Sequence, residues 1–195
     1  MKKFLLPLLI LAGPAIGQTA TSVANGLWLN PATWNCACVP INGYSVTINH
    51  SVTLNTSMGF TTGGITVSNT GSLVQDANRD ILISGGYYYN NGYSNFRFLA
   101  FSAGTGSNSG TYSLTAFSNS VTYNNTGTFN LDSMYCASNF TNAVSGKLNG
   151  NRFTNAADMI NSGRLTFSLS LNTGTFTNND RHQGYAFTNS NLYTN

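Results

Sequence analysis

The residues able to do acid–base chemistry are few. All five acidic residues of the 195 are aspartates: Asp76, Asp80, Asp132, Asp158 and Asp180. Cleavage of polysaccharides uses carboxylates in pairs, as acid and base in hydrolysis, or gathered around calcium in elimination. Asp76 and Asp80 flank Arg79 in a segment that reads as a turn between strands. The expectation there is a solvated local ion pair, since exposed charges in loops are ordinary. Asp180-Arg181-His182 places an acid, a base and an imidazole in a row. Adjacent strand residues face opposite sides, so adjacency alone does not make a catalytic pair. His50 follows a strand pattern and reads as a turn residue. No Ser-His-Asp order, nucleophile elbow or phosphate loop is present, and no catalytic residue is assigned.

Cys36, Cys38 and Cys136 are the three cysteines. Without a CxxC pair, and with His50 and His182 the two histidines, no metal site or cofactor is expected. Pairing Cys36 with Cys38 is poor geometry within a strand. One of them pairing with Cys136 would leave a thiol over. A structural bridge near the N-terminal cap, or a partner cysteine outside this chain, are the readings left open. Tyr87-Tyr88-Tyr89 is the candidate ligand-binding group, because an exposed tyrosine offers a sugar an apolar face with a polar rim. The competing reading stacks these rings in the core.

The frame that positions these residues is repetitive and polar. Met1-Lys2-Lys3, the apolar Phe4–Leu11 run and Ala15-Ile16-Gly17 follow the order of an export signal, with cleavage expected before Gln18. That apolar run is too short to span a bilayer stably, and no second long one follows. Without Lys2 and Lys3 the chain carries six basic residues against five acidic. The basic residues are scattered singly, which argues against a nucleic-acid partner. Charged residues make up 7% and aromatics 12%, so Asn, Thr, Ser and Gly must supply solubility while aromatic and β-branched residues argue against disorder.

Val46-Thr47-Ile48, Val52-Thr53-Leu54 and Ile65-Thr66-Val67 alternate at the strand period between Gly, Asn and Ser turns. No segment sustains a helical period. One phrase then recurs: Asn69-Thr-Gly71-Ser-Leu73, Asn125-Thr-Gly127-Thr-Phe129, Val144-Ser-Gly146-Lys-Leu148, Asn161-Ser-Gly163-Arg-Leu165 and Asn172-Thr-Gly174-Thr-Phe176. Asn and Gly both tolerate a left-handed turn, so Asn-x-Gly is read as a corner. The Phe or Leu two positions after the glycine is read as pointing inward, stacked on its counterpart one coil along. The fold expected is all-β, a single-stranded right-handed parallel β-helix (a β-solenoid) with helix nearly absent outside the signal peptide. The rival, an antiparallel sandwich, lacks a reason for the recurrent corner. The divisions expected are a signal peptide over 1–17, an N-terminal cap over 18–45 and β-helix repeats over 46–195, truncated at the C-terminus.

Gly26-Leu-Trp28, Pro31-Ala-Thr-Trp34, Val39-Pro40, Gly43-Tyr-Ser-Val46-Thr-Ile48 and Val52-Thr-Leu54 resemble the opening of large secreted bacterial β-helix proteins, and more weakly a G8 domain. The later phrases are similar to the β-helical stalks of adhesin-like proteins exported by the type IX system. The resemblance implies a secreted or cell-surface module, adhesin-like, with a polysaccharide or cell-surface glycan as partner and no catalysis. It departs from the pattern at Cys36-Ala37-Cys38 and in lacking a C-terminal sorting domain. The alternative is the N-terminal fragment of a carbohydrate-active β-helix enzyme, a lyase or glycosidase, in which Asp76, Asp80 or Asp132 converge on one groove.

Overall fold

A computed structural model describes residues 17–195; the signal peptide expected over 1–17 lies, but for Gly17, outside them. The chain is all-β, and Pro31–Thr33 forms a single 3-10 turn. Among the described residues twenty strands make one continuous sheet wound as a right-handed β-solenoid of about eight turns. The strand pairings are parallel; one isolated antiparallel bridge joins Ser22 to Trp34. Among the described residues no helix is long and apolar enough to cross a membrane.

Each coil visits three faces. The first face stacks Thr19–Thr21, Ser45–Ile48 and Gly64–Val67, then the ends of the long strands Asp80–Asn90 and Tyr93–Asn108. Tyr123–Asn125, Phe140–Asn142, Met159–Asn161 and Phe176–Asn178 continue it. The second face begins with Gly26–Leu27, Ser51–Leu54 and Ser72–Gln75. It proceeds through the start of Tyr93–Asn108 and the leading halves of Thr111–Asn119, Thr128–Cys136, Lys147–Asn155 and Arg164–Asn172. The third face stacks Met58–Phe60, the start of Asp80–Asn90, residues 98–101 and the trailing halves of those later strands. The segment 18–45 takes part in this stack, because Thr19–Thr21 pairs with residues 45–47.

Period-two strands close on a narrow core because every second side chain points inward. Leu73, Phe129, Leu148, Leu165 and Phe176 are all fully buried, as the position two after each phrase's glycine requires. Each such side chain contributes about 2 kcal/mol on burial. Above the first coils sit two tryptophans. Trp28 and Trp34 meet edge to face with centroids 4.9 Å apart. The indole of Trp34 donates to Trp28 O at 2.8 Å, and that of Trp28 to Pro40 O at 3.1 Å.

Two details of the corners differ from the sequence reading. None of the phrase's asparagines is left-handed; among the described residues Ala37 is the one non-glycine residue with positive φ. Asn69 is exposed, whereas Asn125, Asn161 and Asn172 point inward and bond from coil to coil. Asn90, Asn108, Asn125, Asn142, Asn161 and Asn178 form one ladder, each Nδ2 donating to the next Oδ1 at 2.7–2.8 Å, 17 to 19 residues further on. Asn155, Asn172 and Asn189 form a second ladder at the other corner. The phrase's glycines are not held by a positive φ either. A Cβ on Gly127 would collide with the carbonyl oxygen of Gly110 in the coil before. Because Asn-x-Gly serves two different corners, its spacing in the sequence looks irregular.

The cysteine pairing is also different. Cys36 and Cys38 are bridged to each other, with Cα atoms 5.1 Å apart. The segment is a turn rather than a strand, and Ala37 at φ 51° swings its neighbours' side chains together. Cys136 lies buried and unbridged in the core.

Candidate functional site

The three tyrosines separate. Tyr88 is fully buried, its hydroxyl 2.9 Å from Ser94 Oγ, which in turn bonds Asn90 Oδ1 at 2.9 Å. Burial raises its phenol pKa far above the ordinary value, so it stays protonated inside. Tyr88 therefore cannot take a ligand, which corrects the expectation for this residue. Tyr87 and Tyr89 face outward, half-buried, and stack on each other with centroids 5.1 Å apart and planes 17° from parallel. The Tyr89 hydroxyl reaches Thr105 Oγ1 at 2.9 Å. Mutual stacking covers one face of each ring, so the pair presents edges and two outer faces rather than a flat platform for a sugar.

The aspartates at the turn pair locally. Arg79 clasps Asp76 through Nε at 2.8 Å and a second nitrogen at 3.2 Å. The Arg79 guanidinium holds the Asp76 carboxyl below its ordinary pKa, and the carboxylate raises that of Arg79. Arg97, one coil on, grips Asp80 with two bonds, Nε–Oδ1 being 2.7 Å. Each carboxylate is thus engaged by its own arginine.

His182 is not assembled with Asp180 and Arg181 into a cluster. It occupies the core column after Leu165, in parallel register with it. Its ring packs against Phe176 and Phe187 at 5.8 and 5.0 Å, and Nε2 lies 3.4 Å from Ser170 Oγ. Desolvation lowers its pKa. Asp180 and Arg181 are exposed. His50 is tied at the N-terminal end by Ser22, with Nδ1 2.9 Å from its carbonyl oxygen. Among the described residues no group of three or more His, Cys, Asp or Glu gathers to hold a metal ion.

A site the sequence reading did not pick out runs along the corner between the second and third faces. It is an open groove of about 420 Å³ lined by Gln75, Asn95, Ser113, Asn130, Asp132 and Asn151. Leu114 and Leu131, 6% and 7% exposed, form part of its floor. Asn95, Ser113, Asn130 and Asn149 stack in register on successive coils. Neighbouring strands are about 4.8 Å apart, so amide and hydroxyl groups repeat along the groove at that interval. Asn149 Nδ2 donates to Asn130 Oδ1 at 3.1 Å, and Asn151 Nδ2 to Asp132 Oδ1 at 2.5 Å. The lining holds one carboxylate and no lysine or arginine. The signal lay in the polar residue that closes the repeated phrase, as in Phe129-Asn130 and Leu148-Asn149. What such a groove can do is exchange hydrogen bonds with hydroxyl groups spaced along an extended molecule, against a small apolar floor.

Comparison with family models, with curated proteins and with solved structures finds no match.

Proposed function

We propose that this chain is an exported, surface-associated module of the adhesin-like kind, in which the solenoid is a rigid spacer and the corner groove takes a neutral polysaccharide. The groove carries this reading. Its polar rungs come from successive coils, from Gln75 to Asn151, so its long axis follows the solenoid. A linear polymer fits that shape better than a compact metabolite. Amides and hydroxyls suit sugar hydroxyls, and the single Asp132 carboxylate disfavours an acidic glycan. On this reading export rests on the Met1–Gly17 pattern, and the polysaccharide is bound without turnover.

The other reading, a fragment of a carbohydrate-active enzyme, rests on Asp132 alone within the lining. Acid–base cleavage of a glycoside uses a second carboxylate facing the first, and Asp76 and Asp80 are held by Arg79 and Arg97.

The test is a panel of immobilised polysaccharides probed with the purified chain, following both retention and the release of reducing ends or unsaturated products. Retention without product is expected. Replacing Asn95 and Asn130, both in the groove lining, together with Ala should weaken it roughly tenfold, from the loss of one or two hydrogen bonds of about 1 kcal/mol each. Product that disappears with Asp132→Asn would replace this reading by the enzymatic one. Retention unchanged by the double replacement would move the binding site elsewhere.

A further inference from the structure

The Cys36–Cys38 bridge has features that a structural role does not explain. It closes a loop across one residue, and so short a closure removes little freedom from the unfolded chain. The cap around it is secured by other means: the two indole hydrogen bonds, and Thr33 Oγ1 donating to Leu27 O at 2.9 Å. The bridge also holds Ala37 at φ 51°, a left-handed conformation that an L-residue with a Cβ adopts at a cost. Cys36 is exposed and Cys38 half-buried, so a reagent in solution reaches the first sulfur more readily. Strained and exposed disulfides are the labile, exchange-prone ones.

We propose that Cys36–Cys38 is a thiol–disulfide exchange site, reduced by low-molecular-weight thiols and reoxidised by their disulfides while the solenoid stays folded. A thiolate attacks Cys36 Sγ, a new S–S bond forms, and the Cys36–Cys38 bond breaks with its electron pair leaving on Cys38 Sγ. That sulfur takes a proton from water. A second thiolate attacks the external sulfur of the mixed disulfide and releases Cys36 as a thiolate, which is protonated in turn. Over the cycle two thiols give up two electrons and two protons and become one disulfide, while Cys36 and Cys38 become thiols. Breaking the bridge frees Ala37 to leave its left-handed conformation, which favours the reduced form. Cys136 takes no part: it is buried, and desolvation raises its thiol pKa, so little thiolate forms.

The chain's two tryptophans, Trp28 and Trp34, flank this loop and give it an optical reporter. The full chain is equilibrated in glutathione buffers of graded reduced-to-oxidised ratio. It is then trapped with an alkylating reagent and followed by mass, tryptophan emission and far-ultraviolet circular dichroism. Cys36 and Cys38 should become alkylated together while the β-sheet signal is unchanged and Cys136 stays unmodified. Ala37→Gly, which relieves the left-handed residue, should require about a three- to fivefold more reducing ratio at the midpoint. Cys38→Ser should accumulate a glutathione adduct on Cys36. A bridge that yields only as the β-sheet signal collapses would overturn the proposal. So would an Ala37→Gly midpoint that stays where the parent chain has it.

Discussion

The first three coils and the later ones fill the same corners by opposite chemistry. On the first face, the inward position before the corner is Ile48 and then Val67, both fully buried aliphatics. Asn90 follows in register with Val67, and from there the same column is asparagine. On the third face the column runs Phe60, Ile83, Phe101, then Asn119, Cys136, Asn155 and Asn172. Apolar corners gain from burial, which is non-directional and tolerates a neighbour's shift. Asparagine corners gain from bonds that hold only when every rung sits in register. Some amides also tie down the backbone of their own corner: Asn125 Nδ2 donates to Gly127 O at 3.2 Å, and Asn172 Nδ2 to Gly174 O at 2.7 Å. The apolar coils are thus fixed by shape, and the asparagine coils by a hydrogen-bond register that runs from Asn90 to Asn178.

The largest expected effect comes from breaking the ladder at its middle. Asn142 accepts from Asn125 and donates to Asn161 Oδ1 at 2.7 Å, with Gly146 O and Arg164 O each at 3.3 Å. Asn142→Leu replaces it with a side chain of similar size, as though it were an aliphatic corner. It orphans the Oδ1 of Asn161 and takes from Asn125 Nδ2 its Oδ1 acceptor, at about 1–3 kcal/mol for each buried group left without a partner. Urea unfolding should show a loss of about 3 kcal/mol. A loss under about 1 kcal/mol would mean that the two kinds of corner are interchangeable.

The second ladder contains its own test. Asn155 Oδ1 is buried with no hydrogen-bond partner, and the residue before it in that column is Cys136, which lacks the amide donor found elsewhere. The missing rung explains the orphaned oxygen. Cys136→Asn supplies the donor and joins Asn119 to Asn155, so it should stabilise the fold by about 1 kcal/mol. Thermal unfolding of the variant should move upward by a few degrees, whereas Cys136→Ala should lower it. A drop with asparagine would show that the ladder cannot be extended through this coil.

What could be read from the residues and what could not divides along register. The inward Phe129, Leu148, Leu165 and Phe176 were legible because strand parity and a nearby glycine place them locally. The inward asparagines were not. Asn beside Gly has a strong turn precedent, and its actual partner sits a full coil away, at a distance that varies from 17 to 19 residues. The tyrosines show the same limit. Ile81 and Ile83 point inward at odd positions, but register shifts on either side of Ser84 reset the parity, so Tyr88 and Asn90 point inward at even ones. Alternation alone therefore left open which of Tyr87, Tyr88 and Tyr89 would be hidden. The Cys36–Cys38 bridge depended on a left-handed alanine, a conformation that nothing in Cys-Ala-Cys announces. The groove gathers residues from separate coils, each unremarked in its own stretch of chain.

The smallest expected effect lies where the core column leaves its hydrocarbon pattern, at His182. Its counterparts Leu148 and Leu165 are uncharged at any pH, whereas the imidazole titrates. Burial against Phe176 and Phe187 lowers its pKa from the ordinary 6.5, so the folded chain holds this proton less tightly than the unfolded chain does. Stability gained from the neutral ring is complete above about pH 6.5. It declines as the pH falls from there toward the lowered folded value, because the unfolded state takes up the proton first. With the ring only half-buried, solvent screens much of the effect. The unfolding midpoint should slope gently downward between pH 6.5 and pH 5. Replacing His182 with Leu, the residue one coil earlier, should flatten that slope while leaving the midpoint at pH 7.5 nearly unchanged. An unaltered slope would assign the acid sensitivity between pH 6.5 and pH 5 to a group other than His182, and not to Asp76, whose lowered pKa acts over a more acidic window.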